Sequence, residues 1–171
     1  MKIIYSSMAA LALSAAAALA GPQFVDETGY AVSGYDVVAY FNLPQGEIGD
    51  AQTSAVAGDA SITAEHNGAT FAFSNVENRD AFIADPEKYV PQYDGHCAFG
   101  VAQGGKVPGN PHLWRIVDGK LYLNIKDTVV YQWEMDIPGY LEKSEANWVD
   151  LESGDASTNP IPGFNSPAPN N

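Results

Sequence analysis

Two dipeptides, Asn67-Gly68 and Asp118-Gly119, each set between short stretches of alternating or β-favouring residues, constrain this chain most strongly. A type I′ turn needs positive φ at both central positions. Asn, Asp and Gly tolerate this, and the twist of the turn matches that of paired strands. Ala60 to Glu65 and Ala69 to Phe73 therefore predict a hairpin around His66-Asn67-Gly68, with Phe71 and Phe73 sharing a core-facing side. Leu113 to Val117 and Lys120 to Asn124 predict a second hairpin around Asp118-Gly119.

Helical patterns follow each hairpin. Ser74-Asn75-Val76-Glu77 fits a capping box opening a helix to about Ala84, with Phe82 and Val76 or Ile83 on its buried side. Pro86 ends that helix and begins one further turn, which Pro91 breaks. Asp127 can cap a helix to about Met135, and Asp136 with Pro138 opens another to about Asp150. The fold class is α+β: two β-hairpins, each followed by helices, in a single domain.

The ends read differently. Lys2, the alanine-rich apolar run from Ile3 to Leu19 and small residues up to Ala20 predict a secretory signal peptide over residues 1–20, cleaved after Ala20. The expected compartment is the periplasm of a bacterium. Gly21 to about Ser33 reads as an extended arm. Residues 152–171, rich in Ser, Asn, Gly and Pro, have little to bury and predict a disordered tail. The roughly 150 residues left after cleavage make one ordinary domain.

With 21 acidic residues against 8 basic ones, the formal charge is −13. Phosphate backbones and anionic membrane surfaces would repel such a chain, so neither nucleic acid nor membrane insertion is expected of the mature form.

The single cysteine, Cys97, lies in a glycine-framed stretch running from Gln92 to Gly105, beside His96. One cysteine allows no internal disulfide framework and no Cys-x-x-Cys exchange. It leaves a buried inert thiol, an intermolecular disulfide, a reactive thiolate or a metal ligand. If Asp94 caps a helix running to Ala102, Cys97 takes its third position, where free N–H groups favour thiolate. His96, as the adjacent residue, points away from Cys97. His112, at a strand entrance, and His66, in a turn and expected to be solvated, are the remaining candidate partners.

Several segments resemble a known family. They are Tyr35-Asp36-x-Val38-Ala39-Tyr40-Phe41, Gly68 to Ser74, Asn78-Arg79-x-x-Phe82, Asp85-Pro86-Glu87-Lys88-Tyr89-x-Pro91-x-Tyr93, Gly95-x-Cys97-Ala98, and Asp118 to Asn124 with Trp114, Trp133 and Trp148. In this order they are similar to exported YHS-domain proteins, over residues 34–151. The resemblance implies a small module related to metal-binding domains. The positions matching the family's paired thiols are Ala39, Ser74 and Asn78, none of which is a soft ligand. Some exported relatives carry selenocysteine at the position matching Cys97, which implies a soft nucleophile or redox atom there.

Three functions follow as expectations. One is soft-metal handling through Cys97 with His96 and His112, the ion being copper or zinc. A second is thiol-redox chemistry, with Cys97 as a single catalytic nucleophile resolved by an external thiol. The third is a non-catalytic structural or interaction domain, favoured if Cys97 is inaccessible.

Overall fold

The computed structural model describes residues 21–171. The expected signal peptide lies outside the described residues. Among those described, no helix is long and apolar enough to cross a membrane.

The element order is β1 (Asp59–His66), β2 (Ala69–Phe73), α1 (Val76–Ala84), α2 (Pro86–Tyr89), α3 (Ala98–Ala102), β3 (Asn110–Val117), β4 (Lys120–Asn124), α4 (Asp127–Glu134) and α5 (Ile137–Leu151). The α+β class is thus present, with two antiparallel hairpins that remain separate two-stranded sheets. Both tips form as their dipeptides require: φ is +48° at Asn67 and +75° at Gly68, and +50° at Asp118 and +74° at Gly119. The tips set the registers His66 opposite Ala69 and Val117 opposite Lys120.

The hairpins divide two apolar clusters. Phe71 and Phe73 pack with Phe82, Tyr35, Tyr40, Trp114, Leu121 and Leu123 in the larger one. Tyr93, Ala98, Val101, Tyr122 and Trp133 form the smaller, against Trp148 and Tyr140 of α5. Period-two alternation along β4 sends Leu121 and Leu123 to one cluster and Tyr122 to the other. Five residues of strand therefore wall off one cluster from the other.

Several expectations need correction. In α1 only Phe82 is buried, while Val76 and Ile83 stand exposed. The helix is capped by Asn75, which accepts from Asn78 N at 2.8 Å. Ser74 is not the cap because its amide and hydroxyl both donate to Asp36. The arm is only partly extended, since Val32, Ser33 and Gly34 form a short left-handed turn.

The tail is docked rather than disordered. Ile161 and Ala168 are buried and Phe164 packs on the larger cluster. Its backbone also bonds the body, with Asn170 N donating to Gly58 O at 2.8 Å and Ala60 N donating to Asn170 O at 2.8 Å. A few apolar side chains and a strand-like pairing beside β1 supply what the composition lacks.

Candidate functional site

The Cys97 segment is built on a strained turn. Tyr93, Asp94 and Gly95 have φ of +58°, +54° and +79° in succession. Left-handed backbone costs a non-glycine residue about 1–2 kcal/mol, so packing must hold this turn in place. Tyr93 is buried against Tyr122 and Trp148, and its carbonyl accepts from His96 N at 2.9 Å. The turn delivers His96 and Cys97 in extended conformation. His96 bridges to Pro108, and Cys97 lies alongside Leu123 of β4.

Cys97 is the N-cap of α3, not its third residue. Its Sγ accepts from Gly100 N at 3.4 Å and its thiol donates to Asn124 Oδ1 at 3.4 Å. Asn124 Oδ1 also accepts from Phe99 N at 3.2 Å, so sulfur and amide share the capping of one helix start. Cys97 has no exposed surface. Burial pushes its thiol up to about 11, against the smaller opposing effect of the N–H groups of Gly100, Ile125 and Phe99. A helix as short as Ala98–Ala102 adds little dipole, so desolvation wins and the sulfur stays protonated. Helix α5 ties down both ends of α3: Ser144 Oγ donates to the carbonyl of Ala98 at its start, and Asn147 Nδ2 to those of Val101 and Ala102 at its end.

The histidines are equally committed. His96 is fully buried, with Nδ1 at 2.8 Å from Tyr93 O and Nε2 accepting from Ser157 N at 3.0 Å. That pairing assigns the neutral tautomer protonated at Nδ1, and burial pulls its pKa down to about 4. His112 Nδ1 accepts from Ala55 N at 3.3 Å and its Nε2 is 3.1 Å from Tyr35 Oη. His112 packs in the other half of the molecule, edge-on to Tyr35 and near Phe164, with its pKa lowered by burial. His66 is not simply solvated: it packs on Phe82 and Phe71, with Nε2 3.3 Å from Glu87 Oε1. That contact lacks hydrogen-bond geometry. Cys97, His96 and His112 are not assembled into a ligand set, and no three His, Cys, Asp or Glu side chains group around a metal-sized point among the described residues.

Two polar centres escaped the sequence reading. Asp36, fully buried, accepts from Val38 N and Ala39 N through Oδ1, and from Ser74 N, Ser74 Oγ and Asn78 Nδ2 through Oδ2. Ala39, Ser74 and Asn78 thus meet around one carboxylate. The second centre is the buried pair of Arg115 and Glu134. Arg115 also donates to the carbonyls of Gly46 and Glu47, and Glu134 Oε2 accepts from Gly49 N at 2.8 Å. The pair fixes the Gly46–Gly49 loop against β3 and α4.

That loop closes one side of a cleft of about 430 Å³, lined among others by Asp50, Gln52, His112, Trp114, Asp127 and Tyr131. Asp50 and Asp127 are exposed there, and Tyr131 is 64% exposed.

The chain matches no known family model, no curated protein and no solved structure. The likeness to YHS domains therefore rests on the quoted residues alone.

Proposed function

We propose that this chain is an exported YHS-like domain acting as a non-catalytic binding module, with Cys97 as a structural thiol. The buried, capping position of Cys97 carries this reading. Redox exchange and soft-metal capture both need a thiolate open to approach, and a protonated sulfur without exposed surface supports neither. The quoted segments, in their order along the chain, support the family resemblance.

The contact face is the cleft between the Gly49–Gln52 loop and α4. Glu134 is already neutralised by Arg115, which leaves Asp50 and Asp127 as its unpaired acids beside Trp114 and Tyr131. Such a surface suits a partner protein presenting a basic side chain next to an apolar one.

Thiol labelling tests the central point. The folded protein should react with a disulfide reagent far more slowly than the urea-unfolded chain. Reaction at the unfolded rate, or copper(I) or zinc binding that Cys97→Ser abolishes, would overturn the reading. For the cleft, acetyl-Leu-Lys-Leu amide should shift the resonances of Tyr131 and Trp114, and Asp127→Lys should remove the effect. Unchanged binding in D127K would sink that assignment.

A further inference from the structure

Asp94, in the strained turn before Cys97, holds a carboxylate oxygen that the described residues do not satisfy. Asp94 is only 8% exposed, and its Oδ1 accepts from Gln23 Nε2 at 2.8 Å. Its Oδ2 is buried and has no hydrogen-bond partner among the described residues. Leaving such a group unpaired is costly, and more so when it is charged. Burial pushes the Asp94 carboxyl up to about 6, the cost expected of an acid without a close counter-charge.

None of the charged groups facing it hydrogen-bonds that oxygen. Glu152 and Glu87 repel the carboxylate. Lys106 attracts it, but the Lys106 ammonium is bound to the carbonyls of Glu152 and Gly154, at 3.0 and 2.6 Å.

The group placed to do so is at Gly21. This residue is buried, and its neighbour along the arm, Phe24, is pinned by its amide to Asp94 O at 2.8 Å. A Cβ on Gly21 would stand 2.6 Å from Asp94 Oδ2 and against the Glu152 carbonyl oxygen. Only a residue without a side chain fits. On a glycine, the direction of the missing Cβ is one rotation about Cα–C away from the nitrogen. An amine turned into that position meets Asp94 Oδ2 at hydrogen-bond distance, with the Glu152 carbonyl as second acceptor after a small shift. An amide joined to residue 20 cannot make that turn without carrying the preceding chain into the body.

We propose that processing after Ala20 frees the Gly21 α-ammonium to pair with Asp94, completing a buried ion pair that locks the turn bearing Cys97. The proposal rests on the cleavage expected from the sequence. It gives Gly21 two roles, as a small residue at the cleavage site and as the only first residue the pocket admits. It also ties the final tightening of the Cys97 segment to export.

The experiment has two steps. Mass spectrometry of the exported protein should show Gly21 as its first residue; any other start overturns the proposal at that point. The α-amine of a chain made to begin at Gly21 is then titrated by NMR. Its pKa should lie at least about one unit above the ordinary 7.7–8.0 of a free terminus, and its acylation near neutrality should be about tenfold slower. A chain retaining Ala20 should show an ordinary amine, and so should Asp94→Asn, since Asn tolerates the positive φ at that position. An ordinary pKa in the Gly21 chain, or a raised one that survives both changes, overturns the pairing independently of where cleavage falls.

Discussion

The Asn124 side-chain oxygen, at the end of β4, lies 3.4 Å from the Cys97 sulfur and accepts a hydrogen bond from its thiol. With the bond from Phe99 N, it makes Asn124 the anchor of the α3 start, and it converts a residue that looked reactive into a cap.

Asn124→Leu keeps the size of the side chain but leaves the Phe99 amide without its acceptor. Unfolding in urea should show a loss of about 1–3 kcal/mol, and the Cys97 thiol should become more reactive in the folded state. A variant as stable as the parent, with equally protected sulfur, would contradict the capping role.

Removing Asp36 should be worse. Five donor contacts converge on its carboxylate from three segments of chain. Asp36→Ala should cost about 3 kcal/mol or more, measured by chemical denaturation. Asp36→Asn should recover only part, because its NH₂ group would face donors. Full recovery in the Asn variant would mean that the charge and acceptor count are unimportant.

The Arg115–Glu134 pair predicts a non-additive cycle. Glu134→Gln alone strands a buried guanidinium and should cost about 3–5 kcal/mol. Replacing both residues by apolar ones should cost less than the sum of the two single changes. Additive losses would show that the two side chains act separately.

His96 makes stability depend on pH. Its folded pKa, near 4, lies below the value of about 6.5 in the unfolded chain. The unfolded state therefore binds the extra proton first, and the His96 contribution is complete above about pH 6.5 and lost as pH falls toward 4. Asp94 works in the opposite sense wherever it lacks a counter-charge: its raised pKa means stability is lost as pH rises toward 6. His96→Asn should remove the His96 part of the slope, so stability should fall less steeply from pH 6.5 toward 4 in the variant than in the parent. The same curve in variant and parent would refute the role of His96.

Truncation after Gly154 removes the Ser157 amide from His96 Nε2, together with Ile161, Phe164 and Ala168. The His96 resonance should then titrate closer to the ordinary histidine range, and the urea midpoint should fall. An unmoved His96 pKa would show that the tail does not seal it.

Local chemistry was the readable part. The hairpin tips and helix order follow from Asn-Gly, Asp-Gly, proline and capping residues acting within a few positions. What the sequence hid was long-range. Ser74 yields the cap to Asn75 because Asp36, 38 positions earlier, takes its hydroxyl. Cys97 is quiet because Asn124, 27 positions later, arrives beside it. The tail's few apolar residues look too sparse to matter until the fold presents a surface for Ile161 and Phe164. A lone His-Cys neighbour pair suggests chemistry, but burial decides it, and burial belongs to the assembled fold.

Strand β4 has a consequence for how the molecule comes apart. Because Leu121 and Leu123 close one apolar cluster while Tyr122 closes the other, neither half keeps a sealed interior once that strand lets go. The halves share a party wall, and heat or denaturant should bring both down in a single transition.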